Sequence, residues 1–343
     1  MSILVNAYST HLNPIDISFP HVLNNRRGLS DPELTNHLNG FHSYILERGG
    51  SEMTQIKYHL LRHIQRVNHQ FSFDLEEAHL DDLSRWALES NSILFLPDGT
   101  VRDPNGHVLF YPDGRQADEA AFIPFLDASY SRKHQTEALL KARHLNVPPT
   151  PPIPCEHEIS LRPASEIVLR AMSLFVVAVR AESIATGDPL DIEMLKERIP
   201  RGFVALSPAE EAFLKAEHLD DNSDESLVVQ FVWRYETAAL LLWVLGILPE
   251  LPFPDSICDV PEIARLVLDS SSWEDRVELR AVDEVLDCLD LHYRLHWLCR
   301  QAGIDGADIS PDIDRGVVLE RHYALNWLIG FENSDWDEVD TPT

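Results

Sequence analysis

The run Leu227-Val228-Val229-Gln230-Phe231-Val232-Trp233-Arg234-Tyr235-Glu236-Thr237-Ala238-Ala239-Leu240-Leu241-Leu242-Trp243-Val244-Leu245-Gly246-Ile247-Leu248 decides the fold. At about 1.5 Å per residue a helix of this length could cross the roughly 30 Å hydrocarbon core of a bilayer. However, it carries Gln230, Arg234 and Glu236, and it stops at Pro249-Glu250-Leu251-Pro252. A charge at the centre of a membrane helix costs about 2.5–3.5 kcal/mol on insertion scales. A helix apolar almost all round also suits the centre of a soluble bundle. The run is therefore read as the buried central helix of a mainly helical domain, with no membrane partner.

On either side of it the pattern stays helical. Ser165 to Glu182 carries Ile167, Leu169, Ala171, Leu174, Phe175 and Ala178. Ser207-Pro208-Ala209-Glu210 combines a capping box with proline at the first helical position. Helices are predicted from about Glu278 to Ala302 and from about Asp314 to Phe331, before an acidic tail, Glu332 to Thr343. Upstream, a helix over about Tyr130 to His144 leads into Pro148-Pro149-Thr150-Pro151-Pro152-Ile153-Pro154. That stiff segment is expected to be an extended arm on the helical part, with a free linker as the other reading.

Residues 1–125 read as a separate, smaller domain of mixed α and β. Ile3 to Tyr8 and Phe71 to Leu75 are β-like. Ser30-Asp31-Pro32-Glu33 starts a helix that should run to Gly49-Gly50, followed by helices over about Glu52–His69 and Leu80–Glu89. Ile93-Leu94-Phe95-Leu96-Pro97-Asp98-Gly99 and Val108-Leu109-Phe110-Tyr111-Pro112-Asp113-Gly114 resemble each other, and Asp103-Pro104-Asn105-Gly106 between them supplies turn chemistry. They predict a β-hairpin near 93–111. The fold class is α+β: a small sandwich-like N-terminal domain, then a mainly helical domain over 126–343.

Charge is the abnormal feature, with 56 acidic against 28 Lys and Arg residues, a net charge of −28. Residues 1–125 hold 16 acids and 9 bases and the remainder 40 and 19, so the acidity belongs mainly to the helical part. Such a field repels phosphate backbones and anionic lipid, which argues against nucleic acid as well as membrane, and it attracts basic proteins. The cysteines, Cys155, Cys258, Cys288 and Cys299, form no CxxC pair. On one helix Cys288 and Cys299 would stand about 16 Å apart, too far for a disulfide. Scattered thiols and an N-terminus without a signal-like stretch point to the cytoplasm.

Four charges fall on faces where burial is expected. At about 100° per residue, Val282, Val285, Leu289, Tyr293 and His296 share an arc of about 80°, and Arg300 falls in it. Arg321 is bracketed by Val317, Leu325 and Leu328. Glu236 lies between Val232, Leu240 and Trp243, and Arg234 among Ala238, Leu241 and Leu245. An unpaired buried charge costs several kcal/mol, so such groups are paired or line a solvated pocket. In one reading Glu236, with Asp259 or Asp290, satisfies Arg234, Arg300 and Arg321 as an ion network. In the other, Arg300 and Arg321 present forked donors to a small anion, with His296 and His322 nearby.

Other motifs are weaker. His59 and His63 have the i, i+4 spacing of a metal pair, but Leu60 stands where the HExxH pattern needs glutamate. His292 and His296 share that spacing, with His322 on another helix, and the balance is against zinc. The pairs Glu76-Glu77 and Asp81-Asp82 suit a solvated helix start. GxSxG, P-loop and GxGxxG motifs do not occur, so acyl-transfer and nucleotide chemistry have no support, and no metal or cofactor is implied.

Several segments carry a family resemblance. Trp233-Arg234-Tyr235-Glu236 leads into Leu242-Trp243-Val244-Leu245-Gly246, and Leu251-Pro252-Phe253-Pro254-Asp255 precedes Cys258-Asp259. Leu289-Asp290-Leu291 leads to Tyr293-Arg294-Leu295-His296-Trp297. Glu320-Arg321-His322-Tyr323-Ala324-Leu325-Asn326-Trp327-Leu328 precedes Trp336-Asp337-Glu338-Val339-Asp340. In these the chain, over about residues 130–343, resembles the bacterial family catalogued as domain of unknown function 4272. The resemblance implies a mainly helical domain in a bacterial cytosol, and it supplies no activity and no catalytic residues.

Two functions compete on this reading. One is a non-enzymatic interaction protein, of inhibitor or immunity type, for a basic partner. The other is a binder of a small anionic ligand, or an enzyme, built on the Arg/His faces.

Overall fold

The computed structural model describes residues 2–216, 222–273 and 276–343. The chain forms two compact units: Met1–Ser131 with Pro152–Ile159, and Arg132–Pro151 with Ser160–Thr343. The division at Ser131/Arg132 stands beside the boundary at 125/126 read from the sequence. The proline-rich stretch is shared, its end from Pro152 counting with the first unit.

The first unit is built on strands β1 (Ser2–Ser9), β2 (Val22–Gly28), β3 (His69–Glu76), β4 (Ser92–Phe95), β5 (Val101–Arg102) and β6 (Val108–Phe110), with helices α1 (Pro32–Glu47), α2 (Gln55–Gln65) and α3 (Leu80–Glu89). The strands form one antiparallel sheet in the order β2-β3-β1-β4-β5-β6. Strand alternation sends side chains to two faces. On one, Tyr8, Ile93 and Val101 pack with Phe41 and Ile45 of α1 and Leu60, Leu61 and Ile64 of α2. On the other, Val5, Ala7, Phe71, Phe73, Leu75 and Leu94 pack with Leu83, Trp86 and Ala87 of α3 and with Phe19. Both faces are covered, as the sandwich-like expectation requires.

The single hairpin near 93–111 is corrected. The Pro97-Asp98-Gly99 turn brings in β5, which pairs with β4 on one side and β6 on the other, so the region is a three-strand meander. The two similar segments are neighbours of one short strand, and they do not pair with each other. Strand β2 had no sequence signal because Val22-Leu23-Asn24-Asn25-Arg26 is exposed throughout, as an edge strand with a register break at Leu23/Asn25.

The second unit is helical: α4 (Asp127–Ala142, from Arg132 on), α5 (Ala164–Ala185), α6 (Ile192–Arg198), α7 (Pro208–Lys215), α8 (Asn222–Val232), α9 (Arg234–Val244), α10 (Val260–Leu268), α11 (Val282–Asp305) and α12 (Arg315–Leu328). Helix α5 packs on α8 and α9, and α12 packs on α9 and α11. The capping box at Ser207 and Glu210 is formed in full.

The apolar run is not one helix. It breaks at Trp233, where the Glu236 N–H reaches the Trp233 carbonyl at 3.0 Å in a tighter turn. The Trp233 ring lies so close to Gly316 that a Cβ there would stand 2.5 Å from it. Helix α9 ends at Val244 and not Leu248, because an extended stretch before α11 takes over its last carbonyls. The N–H groups of Arg280 and Glu278 donate to Val244 and Leu245 at 2.9 and 3.2 Å, and Arg280 Nε donates to Trp243 at 2.9 Å. Gly246 turns the chain away at φ +70, with the Glu278 carbonyl 2.6 Å from where a Cβ would be. The same contacts keep 278–281 extended, so α11 starts at Val282. By length and composition Glu225–Val244 could span a bilayer, but 67% of its apolar window is buried in this unit, as in a soluble core helix.

Candidate functional site

Glu236 on α9 and Arg321 on α12 are 2% and 0% exposed, and they face each other. Arg321 donates from Nε and Nη2 to Glu236 Oε2 at 3.2 and 3.1 Å, and from Nη1 to the Pro252 carbonyl at 2.7 Å. The second Glu236 oxygen accepts the Cys258 N–H. The loop Leu251–Cys258 thus closes over the pair and takes up what the helices leave unmatched.

Arg234, at the start of α9, donates to Glu320 Oε2 at 2.9 Å, an oxygen that also accepts from Thr237 at 2.7 Å. Its guanidinium lies over the rings of Tyr323 and Trp336, at 5.1 and 5.7 Å. Asp290 and Arg294, one helical turn apart on α11 and both fully buried, form a two-pronged pair at 2.9 and 2.6 Å. Arg294 also bonds Thr150 Oγ1.

The sequence faces therefore converge as pairs. Two of the named residues do not join them. Arg300 is exposed and donates to Thr343 Oγ1 at 3.2 Å. The wheel gave its direction correctly but not the extent of the packing, since Gly303–Asp305 at that end of α11 are exposed. Asp259 is an exposed N-cap of α10 that accepts the Glu262 N–H at 3.2 Å.

His296 and His322 meet Nδ1 to Nδ1 at 2.9 Å, so one ring donates while the other accepts. Tyr293 approaches His322 edge-on at 5.9 Å. Burial pushes His296 down to about 4, helped by the Arg300 and Arg315 charges. Burial, then His296 and His292, holds His322 well below the usual histidine range. Burial and Arg321 bring His292 to about 3, and burial raises the Cys288 thiol to about 12. These are neutral, inert groups at pH 7. Among the described residues no group of three or more His, Cys, Asp or Glu is arranged to hold a metal ion.

Sequence reasoning missed one further pair. Arg170 on α5 donates to Glu210 on α7 and to the Ala205 carbonyl at 2.8 Å, both side chains being almost wholly buried. A wheel of α5 would have flagged it, since Arg170 falls within about 100° of Ile167, Ala171 and Leu174. Glu320 and Arg294 carried the plainer signal of lying beside residues already singled out.

The arrangement pairs each of these guanidinium groups with a carboxylate and leaves Arg321 no solvated space in which to hold an anion. A cavity of about 320 Å³ does open elsewhere in this unit, between Arg162, Arg170, Trp327 and the segment Asp335–Glu338.

No curated protein and no solved structure matches the chain. Residues 132–339 match the family model described as Domain of unknown function (DUF4272), and they include all four buried pairs as well as the Trp336 segment. That match spans more than half of the chain, and the protein belongs to the DUF4272 family.

Proposed function

We propose that the protein is a soluble, cytosolic, non-enzymatic interaction protein whose acidic helical unit binds a basic protein partner, in the manner of an inhibitor or immunity protein. The observation that supports this reading is the internal use of its arginines. Arg170, Arg234, Arg294 and Arg321 are buried against Glu210, Glu320, Asp290 and Glu236, and Glu137 stands at 3.8 Å from Arg294 as well. These pairs cancel in the core. The excess of acids over bases in residues 126–343 therefore falls on residues outside the pairs. A field of one sign steers an oppositely charged partner and repels nucleic acid and anionic membrane. No observation favours the small-anion reading, because Arg321 is closed in and Arg300 stands apart on the surface.

The test is a pull-down with the tagged full chain from native cytosol, read by mass spectrometry, followed by association kinetics with the recovered protein. The expected result is one stoichiometric basic protein. Its on-rate should fall by about tenfold or more as the Debye length shrinks from about 30 Å at 0.01 M salt to about 8 Å at 0.15 M. Recovery of no stoichiometric partner at either salt would remove the reading.

A further inference from the structure

After α12 the chain reverses through Gly330, Glu332 and Asn333, at φ +64, +57 and +53. Glycine adopts this left-handed backbone readily and asparagine tolerates it, but for glutamate it is strained. The segment Ser334-Asp335-Trp336-Asp337-Glu338-Val339-Asp340 then lies back on the helical unit.

It is held there much as a peptide is held by a receptor. Side chains of the unit grip its main-chain carbonyls: Arg162 Nη2 donates to Ser334 at 3.0 Å, Tyr323 Oη to Trp336, and Asn326 Nδ2 to Asp340 at 2.8 Å. The Asp337 carboxylate accepts the Ala209 N–H of α7 at 2.9 Å. The indole of Trp336, only 5% exposed, is the anchor. The guanidinium groups of Arg170 and Arg234 lie over it at 4.8 and 5.7 Å, and Tyr323 and Trp327 meet it edge-on at 5.1 and 5.4 Å. Because each of these arginines keeps its own carboxylate, the seat selects an indole face by cation–π attraction more than by net charge. A cleft of about 320 Å³, partly open to solvent, is lined by Arg162, Arg170 and Trp327 of the seat and by Asp335–Glu338 of the segment.

An indole anchor, main-chain recognition and a strained hinge describe a ligand carried in cis. We infer that this seat is a peptide-recognition site for a tryptophan followed by acidic residues, filled by the chain's own Ser334–Asp340 and exchangeable with the same segment of a second copy. The inference stands independently of the basic-partner reading, since it concerns an aromatic-acidic ligand and not a basic one.

The probe is a fluorescently labelled peptide of residues 331–343, titrated into the full chain and read by anisotropy. Trp336→Ala removes the cis anchor and leaves the seat, so that variant should bind the peptide at least tenfold more tightly than the wild type. A peptide carrying alanine in place of its tryptophan should not bind. Folding of the variant is checked by circular dichroism. Equal binding to wild type and variant, or no binding to a folded Trp336→Ala, overturns the proposal. If Trp336→Ala does not fold, Tyr323→Phe decides. It loosens the cis segment and the incoming peptide by one hydrogen bond each, but it should speed exchange of bound peptide severalfold over the wild type, and unchanged exchange overturns the proposal.

Discussion

In the sheet-bearing unit the buried Glu158 belongs to an irregular segment, whereas in the helical unit the buried carboxylates Glu236, Asp290 and Glu210 lie on helices. Glu158 is surrounded by unlike donors: Thr10 at 2.7 Å, Asn91 and Arg66 at 3.0 Å, and the Cys155 N–H at 3.0 Å. In the helical unit each carboxylate is paired with a guanidinium, as Glu158 is with Arg66, but at Glu158 that guanidinium is one donor among four. One backbone N–H reaches each of Glu158, Glu236 and Glu210, and the difference lies in the Thr10 and Asn91 side chains that also reach Glu158. A helix interior has spent its backbone groups on itself, so a charge there must find an opposite charge on a side chain. Where the loop 251–258 crosses Glu236 and Arg321, backbone again supplies the remaining bonds. Buried charge is thus matched by whichever donors the neighbouring side chains and backbone supply.

The largest expected effect breaks one helical pair. Arg321→Ala leaves Glu236 charged and closed in, and should cost the helical unit about 3–5 kcal/mol in urea unfolding. Replacing both, as Glu236→Leu with Arg321→Met, should recover most of that loss, since no orphan charge remains. A loss below about 1 kcal/mol for the single variant would show that water reaches the pair, and the contrast between the units would fail. The next effect is smaller and lies in the sheet-bearing unit. Glu158→Gln keeps the shape but turns an amide NH₂ toward a donor and weakens the Arg66 contact, for about 1.5–3 kcal/mol. A loss equal to that of Arg321→Ala would mean that the network at Glu158 acts as an ion pair like the others.

The same contrast explains what the sequence could disclose. Helical periodicity exposed the bundle and the inward direction of Arg321, Arg234 and Glu236, because burial imposes a spacing that can be counted along the chain. The partners were harder, since Arg321 and Glu236 meet across 85 positions and a wheel describes one helix at a time. Asp290 with Arg294 could have been read from its i, i+4 spacing alone. Strand β2 stayed hidden because an exposed edge imposes no alternation, and β5 because two residues make no pattern. The end of α9 depended on Glu278 and Arg280, more than 30 positions away, which no local signal of the helix itself encodes.

The smallest effect concerns the neutral buried groups, and here the sign separates them from the pairs. His296 is held at about 4 and His322 well below its ordinary value of 6.5, with Arg300, Arg315 and Asp340 facing the first and His292 the second. Unfolding frees both rings to take up protons that the folded state refuses. Their contribution to stability is therefore complete above about pH 6.5, falls as the pH drops, and for His296 stops falling below about 4. In the sheet-bearing unit His63, brought to about 3 by burial and then Arg66, acts with the same sign. Burial lowers His11, His37 and His59 of the sheet-bearing unit as well, so both units should lose stability as the pH falls from 6.5 to 4. His296→Gln removes one of those protons, so the slope of its unfolding free energy against pH should be shallower by up to about 1.4 kcal/mol per unit. An unchanged slope would mean that His296 already takes its proton in the folded state, through the tail that carries Asp340, and the pair would belong with the charged contacts of this unit.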